Sequence, residues 1–127
     1  MTATATQGRE EKHTHYSVSS RKVVCRGSDA FVKEITLGVG EEVPMHHHTE
    51  VFDIFYCLEG QLHIEKIAVD SNESLPSDIL AVGESAKVDT GVAHRPFNPG
   101  PNRVRFLLIQ GIGRYDYLPF AAAGNEK

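Results

Sequence analysis

No window of this chain carries a 3.6-residue apolar stripe of helical length; its apolar residues come in short runs broken by Gly, Pro and Asn. That feature restricts the fold more than any other, because short runs with period-two alternation bury one face of a strand and are too short for helices. Phe31, Ile35 and Leu37 alternate with Val32, Glu34 and Thr36. Residues 51–58 are a β-rich run, apolar on both faces apart from Asp53, that stops at the turn signal Glu59-Gly60. Leu62, Ile64 and the residues up to Val69 read as the next strand. Ala86 and Val88 lead into Asp89-Thr90-Gly91, and residues 103–110 form a strongly apolar run ending at Gly111. The pattern predicts an all-β barrel or sandwich. A strand apolar on both sides fits a two-layer barrel or a dimer contact.

The length of 127 residues suits one domain. Hydrophobic residues at 40% and charged residues at 24% are close to globular averages and exclude disorder of the whole chain. Residues 1–18 have almost no large apolar side chains and are expected to be a tail, with the domain over 19–118 and a second tail over 119–127. Thirteen Lys and Arg against seventeen Asp and Glu give a net charge of −4, which lacks the positive excess that phosphate binding needs. No nucleic-acid partner is expected. Nothing approaches the roughly 18 consecutive apolar residues of a membrane-spanning helix. Met1 to Glu11 has no apolar segment of the signal-peptide kind, so a cytoplasmic location is expected. Two cysteines, Cys25 and Cys57, cannot build a disulfide framework; both have apolar neighbours and are expected to be buried free thiols.

Histidine is the unusual residue: there are seven, three of them consecutive at His46, His47 and His48. In a strand His46 and His48 share one face, their Cα atoms ~6.6 Å apart, while His47 points away. Two imidazoles at that spacing can converge on one ion. Asp53 follows five residues after His48, so it faces the same way only if the chain turns at Thr49-Glu50 and places it on the neighbouring strand. His94 comes from far along the chain, after the Gly91 turn. Three imidazole nitrogens and one carboxylate suit a divalent transition metal such as Fe, Zn, Mn, Ni or Cu. Adjacent histidines are also the composition of a solvated loop, and His13-Thr14-His15 has the same spacing in a polar tail.

These residues sit inside two longer patterns that closely resemble the two motifs of the cupin superfamily. The first motif, Gly-x5-His-x-His-x(3–4)-Glu-x6-Gly, is matched by Gly40, His46, His48, Asp53 and Gly60. The second, Gly-x5-Pro-x-Gly-x2-His-x3-Asn, is matched by Gly83, Asp89, Gly91, His94 and Asn98 with every spacing kept. The resemblance, extended through the flanking strands, spans about residues 20–118. It implies an all-β, double-stranded β-helix (jelly-roll) cupin barrel holding one divalent transition metal ion per subunit, with His46, His48, Asp53 and His94 as ligands. It also implies a homodimer. Asp89 stands where the family has proline, and Asp53 where it has glutamate. Aspartate is one methylene shorter, while metal–oxygen bonds are held near about 2.0–2.2 Å. Glu50 is a rival carboxylate, but only Asp53 keeps the six-residue gap to Gly60.

A pocket of this kind is apolar with a few polar groups. If Asp53 faces inward, Phe55 and Cys57 do too, Phe55 as a cavity wall and Cys57 as packing. Arg103 and Arg105 share a face with Leu107 and Ile109, and an inward arginine there would need an anionic partner, such as a substrate carboxylate. Lys33, on the face of Phe31 and Ile35, is a further cation of this kind. Phe97 is placed to pack over His94, Arg95 and His63 are expected to point away, and Tyr115 and Tyr117 are placed to cap the barrel mouth. Phe55, Arg105 and Phe97 are the candidate substrate-binding residues and Glu50 the candidate general base. The resemblance implies a metal-dependent enzyme of dioxygenase, isomerase or lyase type acting on a small oxygenated acid, carbonyl compound or sugar. The alternative is a non-catalytic module that binds or senses such a small molecule; the lack of an attached output domain favours the enzyme.

Overall fold

The computed structural model describes residues 18–121. The expected tails therefore lie mostly outside the described residues. Ten strands follow one another: β1 (Ser20–Arg26), β2 (Ala30–Leu37), β3 (His46–His47), β4 (Phe52–Glu59), β5 (Leu62–Ala68), β6 (Ser74–Leu80), β7 (Ser85–Val88), β8 (Val92–Phe97), β9 (Val104–Gly111) and β10 (Leu118–Pro119). They form two five-stranded antiparallel sheets, ordered β1-β2-β9-β4-β7 and β10-β3-β8-β5-β6. The chain crosses between the sheets as it runs, giving the jelly roll. Because successive side chains alternate, each strand offers one face to the space between the sheets.

That space is filled by Ile35 and Leu37 from β2, Phe55 and Cys57 from β4, Leu62 and Ile64 from β5, and Phe106 and Leu108 from β9, all buried. Fully burying one such aliphatic or aromatic side chain stabilises by roughly 1.5–3 kcal/mol. Strand β9 sets the inner parity: Val104, Phe106, Leu108 and Gln110 are buried, while Arg105, Leu107 and Ile109 are half-buried on the outer face. Both faces of β9 are apolar in part, so alternation in the sequence did not decide which one lies inside.

Strands β1 and β6 carry no signal in the sequence for a simple reason. Each is an edge strand that buries one side chain, Val23 and Leu80 respectively. Cys25, expected to be buried, is exposed on β1, beyond a register shift between Val23 and Cys25; Cys57 is buried as expected. Leu118 and Pro119 pair with His47 and His46, and the Phe120 N–H donates to the Met45 carbonyl at 3.0 Å, so ordered pairing runs past residue 118.

Two motif residues explain themselves as scaffold. Gly60 has φ +79°, and a Cβ there would run into the Arg103 carbonyl, so only glycine closes the β4–β5 turn. Asn98 is buried and donates from Nδ2 to the carbonyls of Leu37 (3.0 Å) and Asn102 (2.9 Å), while its Oδ1 accepts from the Gly100 N–H (2.8 Å). It ties the 98–102 turn to the end of β2.

Candidate metal centre

His46 lies on β3 directly opposite His94 on β8, in one sheet. His48 follows β3, and Asp53 reaches in from β4 of the other sheet. The Thr49-Glu50 turn carries the chain across, as the spacing required. All four side chains are buried, at 5% exposure or less. One ligand atom from each lies within 4.8 Å of the others. A metal with two ligands at about 2.0–2.2 Å holds them at most about 4.4 Å apart, so only a small contraction of the cluster separates it from an ion's inner sphere.

Hydrogen bonds orient the rings for that task. Nδ1 of His46 donates to the Pro44 carbonyl at 2.7 Å, Nδ1 of His48 to that of Asp116 at 2.5 Å, and Nδ1 of His94 to that of Val92 at 3.1 Å. A carbonyl oxygen only accepts, so each Nδ1 carries the hydrogen and each Nε2 presents its lone pair inward. Such backbone partners are the usual second layer around metal-binding histidines. Asp53 Oδ2 lies 2.8 Å from Nε2 of His94 and 3.2 Å from Nε2 of His48. Three nitrogen lone pairs and a carboxylate facing one another need a positive charge between them, whether protons or a metal ion. The donor set and its orientation fit a single divalent ion.

The charges respond accordingly. Burial alone would raise the pKa of Asp53, but the hydrogen bonds and charge that His48 and His94 direct at it, which require a hydrogen on Nε2 when no ion lies between them, outweigh it and hold the carboxyl far below the usual range. Burial holds His46 well below an ordinary histidine, with the neighbouring His94 adding to the effect. For His48 burial lowers the pKa, but the Asp53 hydrogen bond and charge win and raise it.

Gln110 is the residue that sequence reasoning missed. It is buried on β9 opposite Asp53, and its Nε2 donates to Asp53 Oδ1 at 2.9 Å. That bond turns Oδ2 toward the histidines, so the shorter aspartate reaches the cluster. The signal available was the inner parity of β9, which the arginines on the other face obscured.

Aromatic side chains close the site. Tyr117 stacks on His46, ring centres 4.4 Å apart at 15°, and Tyr115 lies 5.4 Å from His48. Phe55 sits 5.9 Å from His94 and walls a tight inner cavity of about 10 Å³, room for about one water. Lys33, His46, Asp53, Gln110 and Tyr117 line the same cavity.

Three candidates from the sequence lie elsewhere. Arg105 is on the outer face of β9, paired with Glu34 (3.1 Å) and Glu59 (3.2 Å), because the inner parity belongs to Phe106 and Leu108. Phe97 faces away from His94, since it is three residues along β8 and so of opposite parity; it packs on His63 and under Arg95. Glu50 is exposed in the turn after His48, where it accepts the Arg114 N–H at 2.9 Å. Arg95 points outward to Glu42 and Glu65, as expected.

Comparison with known proteins agrees with this geometry. The family model described as "Cupin domain" matches residues 33–110. Germin-like protein 8-9 of Oryza sativa subsp. japonica is 33% identical over 60 residues, covering 47% of this chain and 27% of that protein. Germin-like protein 8-7 of the same plant is 31% identical over 67 residues, covering 53% and 30%. The chain thus spans less than a third of the length of these curated relatives. A recombinant oxalate oxidase in complex with glycolate superposes with a TM-score of 0.64 at 20% identity, over 72% of this chain and 46% of the other. An uncharacterised conserved protein with a double-stranded β-helix domain from Klebsiella pneumoniae gives 0.64 at 22% identity, over 80% and 84%. With both histidine motifs in place, a jelly roll around them and a family match over most of its strands, this chain belongs to the cupin family.

Proposed function

We propose that this protein is a metal-dependent enzyme acting on a small oxygenated organic acid or carbonyl compound in the barrel cavity. The observation that carries the reading is the buried convergence of three Nε2 lone pairs and the Asp53 carboxylate. His46, His48, Asp53 and His94 would hold the ion. A divalent transition metal bound there supplies Lewis acidity and, if redox-active, electron exchange with a ligand in its open positions.

The chain's own residues do the rest. The Nδ1–H bonds to Pro44, Asp116 and Val92 fix the three rings before any ligand arrives. Gln110 aims Asp53, and Phe55, Tyr115 and Tyr117 keep bulk water from the cluster. Relatives by fold include an oxalate oxidase with bound glycolate, which supports small acids as the first compounds to try. A homodimer is part of the proposal. On the outer face of the β2-β9-β4 sheet, Val32, Ile109 and Ile54 lie side by side, as do Leu107 and Tyr56. A second copy would cover these apolar groups.

One observation favours a binding role instead. Among the described residues lining the inner cavity, Asp53 is the sole carboxylate and is engaged by the histidines, so no carboxylate is left to act as a base. The test is elemental analysis of protein purified without chelators, then turnover and oxygen uptake with small acids, diketones and sugars after reconstitution with single metals. Bound metal with turnover supports the enzyme. Saturable binding without turnover supports the sensing module, and failure to retain any metal overturns both.

A further inference from the structure

We infer that Gln110 is a specificity-determining residue: its side-chain oxygen accepts a hydrogen bond from a hydroxyl of the ligand, so the site takes a hydroxy acid in preference to an acid without that group. The inference rests on the metal-centre reading above and deepens it by naming the substrate class. Gln110 is 3% exposed on the inner face of β9, between Phe31 of β2 and Asp53 of β4. Its two amide atoms are not interchangeable there. The Asp53 carboxylate accepts, so the amide presents Nε2 to Oδ1 at 2.9 Å, and turning it over would set two acceptors against each other. Oε1 is thereby fixed in place, and it is buried with no hydrogen-bond partner among the described residues.

A buried acceptor left unpaired is destabilising, so folded proteins seldom keep one unless something comes to meet it. The nearby walls have little to offer. Ile35, Val43, Phe55, Phe106 and Leu108 line the inner cavity with apolar side chains, and His46 spends its Nδ1 hydrogen on the Pro44 carbonyl. A donor from outside the chain completes the site.

Size selects the donor. The inner cavity, of about 10 Å³, admits one water or one hydroxyl and nothing larger. The rest of a ligand needs other space, and Gln110 and Tyr115 also line an outer cleft of about 240 Å³. The cleft wall holds Asp29 as well as Arg26 and Arg114, charges of both signs, so the discrimination lies in the hydrogen bond rather than in charge. A water in the inner cavity would satisfy the same acceptor. A ligand hydroxyl that displaces it reproduces its bond, whereas a methyl group in the same place does not.

The test titrates glycolate, and acetate as the same acid without the hydroxyl, into wild type and Q110M by calorimetry. Both proteins carry the same divalent metal, with equal content checked by elemental analysis. Wild type should bind glycolate at least about tenfold more tightly than acetate, and that ratio should shrink at least about fivefold in Q110M. Comparing ratios cancels what the substitution does to Asp53 and the ion, since both acids meet the same altered centre. A ratio unchanged in Q110M, or a metal-loaded wild type that binds both acids equally or neither, overturns the proposal and leaves the metal-centre reading standing. If Q110M does not fold or does not hold metal, a crystal structure of metal-loaded wild type with glycolate decides. A glycolate hydroxyl about 2.5–3.0 Å from Oε1 supports the assignment, and an Oε1 held by water or still unpaired overturns it. A wild type that retains no metal is seen in the elemental analysis before any titration and brings down the metal-centre reading together with this inference.

Discussion

At the scale of single residues the site is four donors whose lone pairs converge and whose other atoms are already spoken for. H46A or H94A removes a nitrogen that no neighbour can replace, and bound metal should fall to a small fraction of one ion per chain by elemental analysis. Q110A leaves all four donors in place but frees Asp53 to turn, so metal affinity should drop by about 10- to 100-fold, the usual penalty for losing a partner behind a ligand. pH acts with two signs. The Asp53 pKa is lowered in the folded protein. Its stabilisation of the metal-free protein is therefore fully present above its unfolded value of about 3.9 and is lost as pH falls below it. The His48 pKa is raised. Its contribution is present below the unfolded value of about 6.5 and is lost as pH rises through the higher folded value. Metal must displace that proton, so bound metal should decline on dialysis from about pH 8 to about pH 5.

At the scale of elements, the short β3 strand and the segment after β9 hold the centre together. Asp116 accepts from Nδ1 of His48 through its carbonyl, and its carboxylate accepts from Thr49 N–H (3.0 Å) and Thr49 Oγ1 (2.7 Å). The segment leading into β10 thus clamps the turn that carries His48. The turn at Asn98 clamps the opposite end of the barrel. N98A strips donors from two carbonyls, those of Leu37 and Asn102, and should cost about 2–6 kcal/mol in urea unfolding at about 1–3 kcal/mol for each buried group left unpaired. Metal content at full occupancy should be unchanged in that variant, since Asn98 touches none of the donors.

At the scale of the whole molecule, three of the four donors come from β3, the residue after it and β8 of one sheet, and Asp53 comes from β4 of the other, so a bound ion would bridge the sandwich. Metal should raise the melting temperature in proportion to the logarithm of its free concentration, and a chelator should reverse the shift. The outer face of β2-β9-β4 belongs to this scale too. Sedimentation equilibrium should give twice the monomer mass, and I54D, which places a charge in the middle of that face, should return the protein to monomer with its metal intact.

Much of this was legible from residue order. The β-rich run over residues 51–58 and the two histidine motifs carry local information, because strand alternation and turn glycines act between near neighbours. Phe55 and Cys57 followed from Asp53 by parity alone. The edge strands β1 and β6 were not legible, since each buries one side chain and leaves no alternation. Arg105 was not legible as an outward residue because a strand apolar on both faces does not say which face is inside, and Phe97 lies away from His94 because three residues along β8 reverse the parity. The order of residues by itself determined the strand-rich class and which side chains were candidates to meet. Only the tertiary structure decided that Gln110 and Lys33 face the cluster, because inner and outer are properties of the packed sheets, set by what lies across the barrel rather than by neighbours along the chain.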